Sequence, residues 1–274
     1  MKRILLLSLM LAVSIAVFSN RKALIIGNAK YGKIALSNPI NDAYEAAITL
    51  DELGFEVTLI QNANLKTISA VIDSFATGLS KSDEAFFYYN GFAAKDKSGS
   101  YLLPVGAVIP KNRDISKAGY NFLDLAKALS NAKSSALMFE VSHNKTYPGL
   151  SSKNMGLGPI EGIKGKQAIL TSGNIHKKAT LDVGRGRFTV EFMRLVRNSN
   201  DRLDQLASRA VSIVRTQTKN AQKPHIWYAI DTDFFINPPP APVYEKSSGE
   251  SLEFRRLPSY RSRFRQEGGG SYAF

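Results

Sequence analysis

The sequence contains no cysteine. This absence excludes disulfide bonds, thiolate metal sites, lipid attachment at a cysteine and any mechanism that uses a cysteine nucleophile. The hydrophobic core must therefore supply the stability of the folded chain. With 274 residues, of which 44% are hydrophobic, the chain is long enough to bury such a core in one large domain.

Acidic residues are scarce relative to basic ones. The chain has 23 Asp and Glu against 36 Lys and Arg, which gives a formal net charge of +13. A basic field favours anionic partners, such as lipid head groups, acidic polymers or acidic proteins. A solvated basic surface with no dedicated partner is the simpler alternative. Nucleic acid fits the charge but not the export signal described next, so we do not expect a nucleic-acid partner.

Only the N-terminus carries a long uninterrupted apolar run. Two basic residues precede the run from Ile4 to Val13, and small residues follow it up to Ser19. This pattern is typical of a secretory signal peptide, which we place at residues 1–19. Because the stretch from Ile4 to Phe18 is shorter than the roughly 20 residues of a spanning helix, we expect cleavage, with an uncleaved anchor as the alternative. The protein is then exported, either to the periplasm or out of the cell.

From residue 21 onward, short apolar runs alternate with longer amphipathic ones. Strands are predicted over 22–27, 55–60, 84–91, 135–141 and 166–172, and helices over 41–54, 65–79, 122–129, 188–197 and 203–218. Several strands are apolar on both faces, which indicates an α/β fold with a mostly parallel sheet covered by helices on each side. Ligands of such sheets bind beyond the carboxyl ends of the strands.

The periodic pattern ends near residue 237. Residues 237–274 are rich in Pro, Ser, Gly and charge, which predicts a linker or a disordered basic tail. Its arginines, from Arg255 to Arg265, alternate with the apolar residues Leu257, Tyr260 and Phe264. Such a segment could bind an anionic envelope surface or another protein.

Four separated blocks carry a family resemblance. They read "RKALIIGNAKYGKIALSNPINDAYEAAITLDELGFEVTLI", "AFFYYNGFAAKDKSGSYLLPVGA", "ALMFEVSHNKTYPGL" and "GLGPIEGIKGKQAILTSG". In order and spacing they resemble the caspase-like domain of bacterial metacaspases and paracaspases, of the peptidase C14 type. The resemblance implies an α/β/α sandwich with a mostly parallel sheet of about six strands over residues 20–236. It also implies descent from cysteine endopeptidases.

The catalytic dyad of that family is not matched. The family histidine stands in a sequence like "YYxGHG", where this chain reads "YYNGFA" and has Phe92; the family cysteine follows the next strand, where "EVSH" has Ser142. Phe92 cannot transfer a proton, and a serine hydroxyl needs a base. His143 is a poor base for its own neighbour, because adjacent side chains at a strand end diverge. We therefore predict no catalytic residues, with residual hydrolysis through Ser142 as an alternative.

The acidic residues of the specificity pocket, in contrast, are matched. Relatives cut after Arg or Lys and pair the substrate cation with two acids, whose positions correspond to Asp42 and Glu140, with Asn90 on the rim. Two carboxylates can hold a guanidinium through charge-assisted hydrogen bonds. The resemblance thus predicts a binding or regulatory module that binds a basic side chain of a partner protein or peptide. Alternatively, Asp42 caps its own helix and Glu140 is a solvated strand end.

Other features predict less. The Gly-Arg loop at 183–187 lies where relatives place substrate-side or dimer loops, but it has no phosphate-binding pattern. The acids are too scattered to assign a metal site, and we expect no cofactor. A third interpretation remains open, in which the protein is an envelope structural protein that acts through its basic tail.

Overall fold

The computed structural model describes residues 20–112, 114–141, 145–163, 166–173, 181–182, 185–228 and 234–240. The predicted signal peptide and nearly all of the predicted tail lie outside these residues, so both stay predictions. Among the described residues, no helix combines the length and the apolar character needed to cross a membrane.

Thirteen strands and five α-helices are found in the described residues. The strands are β1 (Arg21–Gly27), β2 (Lys30–Tyr31), β3 (Ile34–Ala35), β4 (Glu56–Gln61), β5 (Glu84–Asn90), β6 (Ala93–Asp96), β7 (Gly99–Leu102), β8 (Tyr120–Asn121), β9 (Ser134–Glu140), β10 (Gln167–Thr171), β11 (Leu181–Asp182), β12 (Arg185–Gly186) and β13 (His225–Tyr228). The helices are α1 (Pro39–Glu52), α2 (Leu65–Thr77), α3 (Phe122–Leu129), α4 (Arg187–Asn198) and α5 (Leu203–Gln217).

A six-stranded sheet in the order β13-β10-β9-β5-β1-β4 forms the centre of the fold. All its neighbours pair in parallel except β13, which is antiparallel to β10 at one edge. The inner strands β9 and β10 are buried at every residue, as expected for parallel strands covered on both faces. The predicted fold class is therefore confirmed.

Two apolar layers flank the sheet. On one face, the helices α1, α4 and α5 pack on a cluster that includes Ile25, Tyr88 and Met138. On the other face, α2 and α3 pack on a cluster that includes Phe87 and Phe139. A sheet with helices on both sides is the α/β/α sandwich predicted from the resemblance.

The first helix begins earlier than predicted. We expected Asn41 or Asp42 as its cap, but α1 begins at Pro39, and Asn38 occupies the N-cap position. Proline suits the first helical position because its missing N–H would have no intrahelical partner there. Asp42 therefore lies in the first turn, where its side chain is free to contact other elements. The helix ends before Gly54, whose φ of +82° suits a residue that lacks a side chain.

Candidate functional site

Three polar side chains lie in register at the carboxyl ends of neighbouring strands. Asn90 pairs with Glu140 across β5 and β9, and the Ser172 amide donates to the carbonyl of Phe139 just beyond β10. Alternate residues of a strand share a face. Asn90 and Glu140 therefore face the same helices as Tyr88 and Met138 below them, namely α1, α4 and α5.

Asp42 reaches this row from α1. It is fully buried, and its Oδ2 accepts hydrogen bonds from Asn38 Nδ2 and Asn90 Nδ2, both at 2.8 Å. The backbone N–H of Gly186 donates to both carboxylate oxygens, at 3.1 Å to Oδ1 and 2.9 Å to Oδ2. Since Gly186 is the N-cap residue of α4, Asp42 joins the beginning of α4 to the beginning of α1 and to the sheet. The alternative in which Asp42 caps its own helix is therefore wrong.

Glu140 is the second acid of the pair, and it is also fully buried. Its Oε2 accepts a hydrogen bond from Thr189 Oγ1 at 3.1 Å, and Thr189 Oγ1 lies 3.0 Å from Tyr88 OH. Burial raises the pKa of Glu140 to about 8, and the negative charge of Asp42 adds to the shift. Glu140 is thus mostly protonated at neutral pH. The alternative in which it is a solvated strand end is wrong.

Asn90 lies in the interior next to Asp42, and not on a rim as predicted. It is fully buried, and its Nδ2 also lies 3.3 Å from Tyr88 OH, a contact at the long limit of a hydrogen bond. Within the described part of the chain, neither Asn90 Oδ1 nor Glu140 Oε1 has a hydrogen-bond partner. The structure therefore brings Asp42, Asn90 and Glu140 together, as the sequence predicted, but in a site closed to solvent.

Gly186 lies directly against both acids. A Cβ atom added there would stand 2.6 Å from Glu140 Oε2 and 2.8 Å from Asp42 Oδ2, closer than real contacts allow. Only glycine lets the backbone approach the pair this closely. The sequence analysis missed four residues of this site, namely Gly186, Thr189, Asn38 and Ser172. The Gly-Arg pattern at 183–187 marked the right loop, but its contact with the acids is a tertiary feature.

Phe92, at the position of the expected histidine, is packed inside an aromatic cluster. It is fully buried, and its ring centroid lies 4.8 Å from that of Tyr31 and 5.4 Å from that of Tyr147, both edge to face. The Phe92 amide donates to Tyr31 OH at 3.0 Å, and its carbonyl accepts from Tyr89 OH at 2.9 Å. Burial raises the pKa of Tyr31 far above its usual range, so this hydroxyl stays protonated.

Two further sequence-predicted positions, Ser142 and His143, lie outside the described residues. The chain has two other histidines, of which His176 is also outside the described residues. His225 is exposed on the edge strand β13, where its ring stacks on Trp227 at 5.3 Å. In the described part of the chain, then, no imidazole lies in the row formed by Asn90, Glu140 and Ser172.

Residues 20–235 match the family model of the caspase domain. The chain belongs to the caspase domain family. None of the curated proteins matches this caspase domain in sequence. Among solved structures it is similar to the crystal structure of protein GSU0716 from Geobacter sulfurreducens, with a TM-score of 0.57 and 15% identity, over 78% of this chain and 95% of that one. At this identity the likeness shows the shared fold alone.

The strand ends of this caspase domain can be compared with the positions of the family's catalytic residues. The carboxyl ends of β5 and β9 are where the family's histidine and cysteine are expected, and here β5 continues into Phe92. What the described residues of the caspase domain form at this edge is a buried acid pair beside an aromatic cluster. The acid pair can bind a cation or a proton, whereas the aromatic cluster contributes only apolar packing.

Proposed function

We propose that this caspase domain is a binding or regulatory module that does not hydrolyse peptides. The observation that carries the proposal is Phe92, which stands at the expected histidine position and is fully buried against Tyr31 and Tyr147. A peptidase of this family needs an imidazole there to deprotonate the nucleophile and then protonate the leaving amine. The chain also has no cysteine to serve as that nucleophile.

We propose further that Asp42 and Glu140 form a pocket for an Arg or Lys side chain of a partner. Two carboxylates, with the Asn90 amide beside Asp42, offer several acceptors to a guanidinium, whose donors form a planar fork. The partner is then a protein or peptide with an accessible basic side chain. The arrangement supports capture of that side chain without cleavage of the adjacent bond.

The test is a titration of the purified domain with a peptide aldehyde ending in Arg, against the same peptide ending in Asp. Matching amides are incubated with the domain and analysed for cleavage by mass spectrometry. Arg-selective binding without cleavage is expected, and Asp42→Asn should weaken it. Cleavage of the Arg amide, together with fluorophosphonate labelling that disappears in Ser142→Ala, would instead establish a serine hydrolase.

Export and a role for the tail belong to the same proposal. The N-terminal pattern of residues 1–19 supports export, and the formal charge of +13, of which Lys2 and Arg3 contribute only two, supports a basic mature protein that meets anionic envelope surfaces. N-terminal sequencing of the protein recovered from the periplasm should begin near residue 20. If deletion of residues 241–274 abolishes envelope association while Asp42→Asn leaves it intact, the tail alone is responsible for that association.

A further inference from the structure

The acid pocket is filled by the chain itself. The Gly186 N–H donates to both oxygens of Asp42, at 3.1 and 2.9 Å. The α-carbon of Gly186 lies so close to both acids that a methyl group on it would meet Glu140 Oε2 at 2.6 Å. The space between the two acids, where a bound cation would have to lie, is therefore occupied by the beginning of α4.

This occupant satisfies the pocket incompletely. Three buried polar atoms of the same strand-end row, Asn90 Oδ1, Glu140 Oε1 and Ser172 Oγ, have no hydrogen-bond partner among the described residues. The Ser172 hydroxyl lowers the pKa of Glu140, so it faces the carboxylate, although outside hydrogen-bond geometry. Buried unpaired polar groups are costly and rare in native proteins. Asn90 Oδ1 is a pure acceptor, and Glu140 Oε1 is one whenever its carboxyl group is ionised. In that ionised state, the partner that both oxygens lack is a hydrogen-bond donor.

We infer that Gly186 is an internal plug of the acid pocket, and that a guanidinium or ammonium group enters only when the first turn of α4 withdraws. This inference rests on the proposed function. One backbone N–H serves Asp42 alone, whereas a guanidinium has five donors and can also reach the unpaired oxygens of Asn90 and Glu140. Ligand and plug thus compete for one site, and affinity is reduced by the fraction of molecules in which the plug is seated.

Protonation acts on the same equilibrium. The described groups that face Glu140 are Asp42 from α1, Tyr88 from β5, Thr189 from α4 and Ser172 beyond β10; of these, Asp42 contributes the negative charge. Below a pH of about 8, Glu140 carries a proton and attracts a cation only weakly. A cation that binds between the acids must expel this proton. Its affinity should therefore rise with pH, by at most about tenfold per unit, up to that value.

The experiment compares Gly186→Ala with the wild type and with Gly78→Ala, a matched control. A Cβ at Gly78 would make only ordinary contacts, at 3.4 and 3.5 Å, with carbonyls of α2. Hydrogen exchange is measured for the peptide that covers the first turn of α4. Calorimetry then measures the binding of acetyl-arginine amide, with the neutral isostere acetyl-citrulline amide as the ligand control.

Two results are expected of Gly186→Ala: faster exchange in the first turn of α4 and an affinity for acetyl-arginine amide about tenfold above that of the wild type. Gly78→Ala should change neither, and citrulline should not gain. Unchanged exchange in Gly186→Ala, or equal arginine affinity in both proteins, would overturn the plug. Faster exchange without arginine binding to any variant would instead overturn the proposed pocket, which distinguishes the two failures.

A measurement on the wild type covers the case in which Gly186→Ala does not fold. Saturation with acetyl-arginine amide at pH 8.5 should accelerate exchange in the first turn of α4, because the ligand displaces the plug. Protection of that turn by the bound ligand would mean that plug and ligand are seated together, and it would overturn the inference.

Discussion

Phe92 at the expected histidine position gives the sharpest test of the structure. Its side chain is fully buried, and two aromatic neighbours, Tyr31 and Tyr147, contact it edge to face. Removal of a buried Phe side chain costs about 3–5 kcal/mol, from lost transfer free energy and from the cavity that remains. The two aromatic pairs place Phe92→Ala in the upper half of that range, since each such pair adds about 0.5–1.5 kcal/mol beyond area burial.

Urea unfolding of the purified domain, followed by circular dichroism, measures this cost. With an m-value of about 2–3 kcal/mol/M, a loss of about 4 kcal/mol lowers the midpoint by about 1.3–2 M. The control is Leu123→Ala on α3, where the side chain is 47% exposed and should cost less than about 1 kcal/mol. The midpoints are compared only where the m-value of the variant equals that of the wild type, because the shift then measures the change in stability alone.

The outcome bears directly on the proposed function. A packed ring at residue 92 means that the position belongs to the core and that no imidazole there could reach a substrate. If Phe92→Ala costs no more than Leu123→Ala, the ring is not packed. In that case the position is part of an open cleft, and the argument against catalysis loses its structural basis.

Further predictions concern the pH dependence of stability and the hydrogen bonds of the acid pair. The pKa of Glu140 in the folded state, about 8, lies above its value in the unfolded state. The free energy of unfolding should therefore fall by about 1.4 kcal/mol per pH unit as pH rises from about 4.5 to about 8. Urea midpoints at pH 5, 7 and 9 should show this decline in the wild type and not in Glu140→Gln. Phe92→His places an imidazole in the apolar cluster, where burial lowers its pKa. Its instability should therefore increase as pH falls below about 6.5, by about 1.4 kcal/mol for each unit of pKa shift; equal losses at pH 5 and 8 would contradict this. Thr189→Val removes a buried hydrogen bond to Glu140 and one to Tyr88 and should cost about 1–3 kcal/mol by thermal unfolding at pH 8. The control is Thr67→Val, which removes a solvent-exposed hydrogen bond from the Thr67 hydroxyl to Asn64 Oδ1 and should cost less.

Much of the architecture could be predicted from the sequence because its signals are local. The inner strands β1, β5, β9 and β10 of the central sheet each contain a continuous apolar run, and α3 spans the eight predicted residues from Phe122 to Leu129. The sheet edge formed by β13 was not predicted, because "HIWY" is too short to distinguish from a loop without its partner β10. The start of α1 was misplaced for a similar reason, since Asn38 and Asn41 are both plausible caps and only the packed structure selects one.

Three residues of the candidate site could be predicted from the sequence, but their burial and the raised pKa of Glu140 could not. Asp42, Asn90 and Glu140 could be named because their positions match those of the specificity pocket in the family that the sequence resembles. That all three are fully buried depends on Gly186, which is distant in sequence. The raised pKa of Glu140 follows from the same closure, because desolvation is its largest cause. Burial of a polar group beneath a distant loop leaves no signal in a local pattern.

The structure also explains why the acids can persist where the dyad does not. Removal of Asp42 would leave the Gly186 N–H and the amide donors of Asn38 and Asn90 buried without this acceptor. The fold itself therefore requires an acceptor at residue 42, whether or not a ligand binds, whereas Phe92 in the histidine position adds apolar packing. It follows that the presence of the acids is not in itself evidence for a ligand. A difference between arginine and citrulline binding would be evidence for a ligand. An acid pair that serves only to hold the beginning of α4 has no reason to distinguish a positive charge from its neutral isostere.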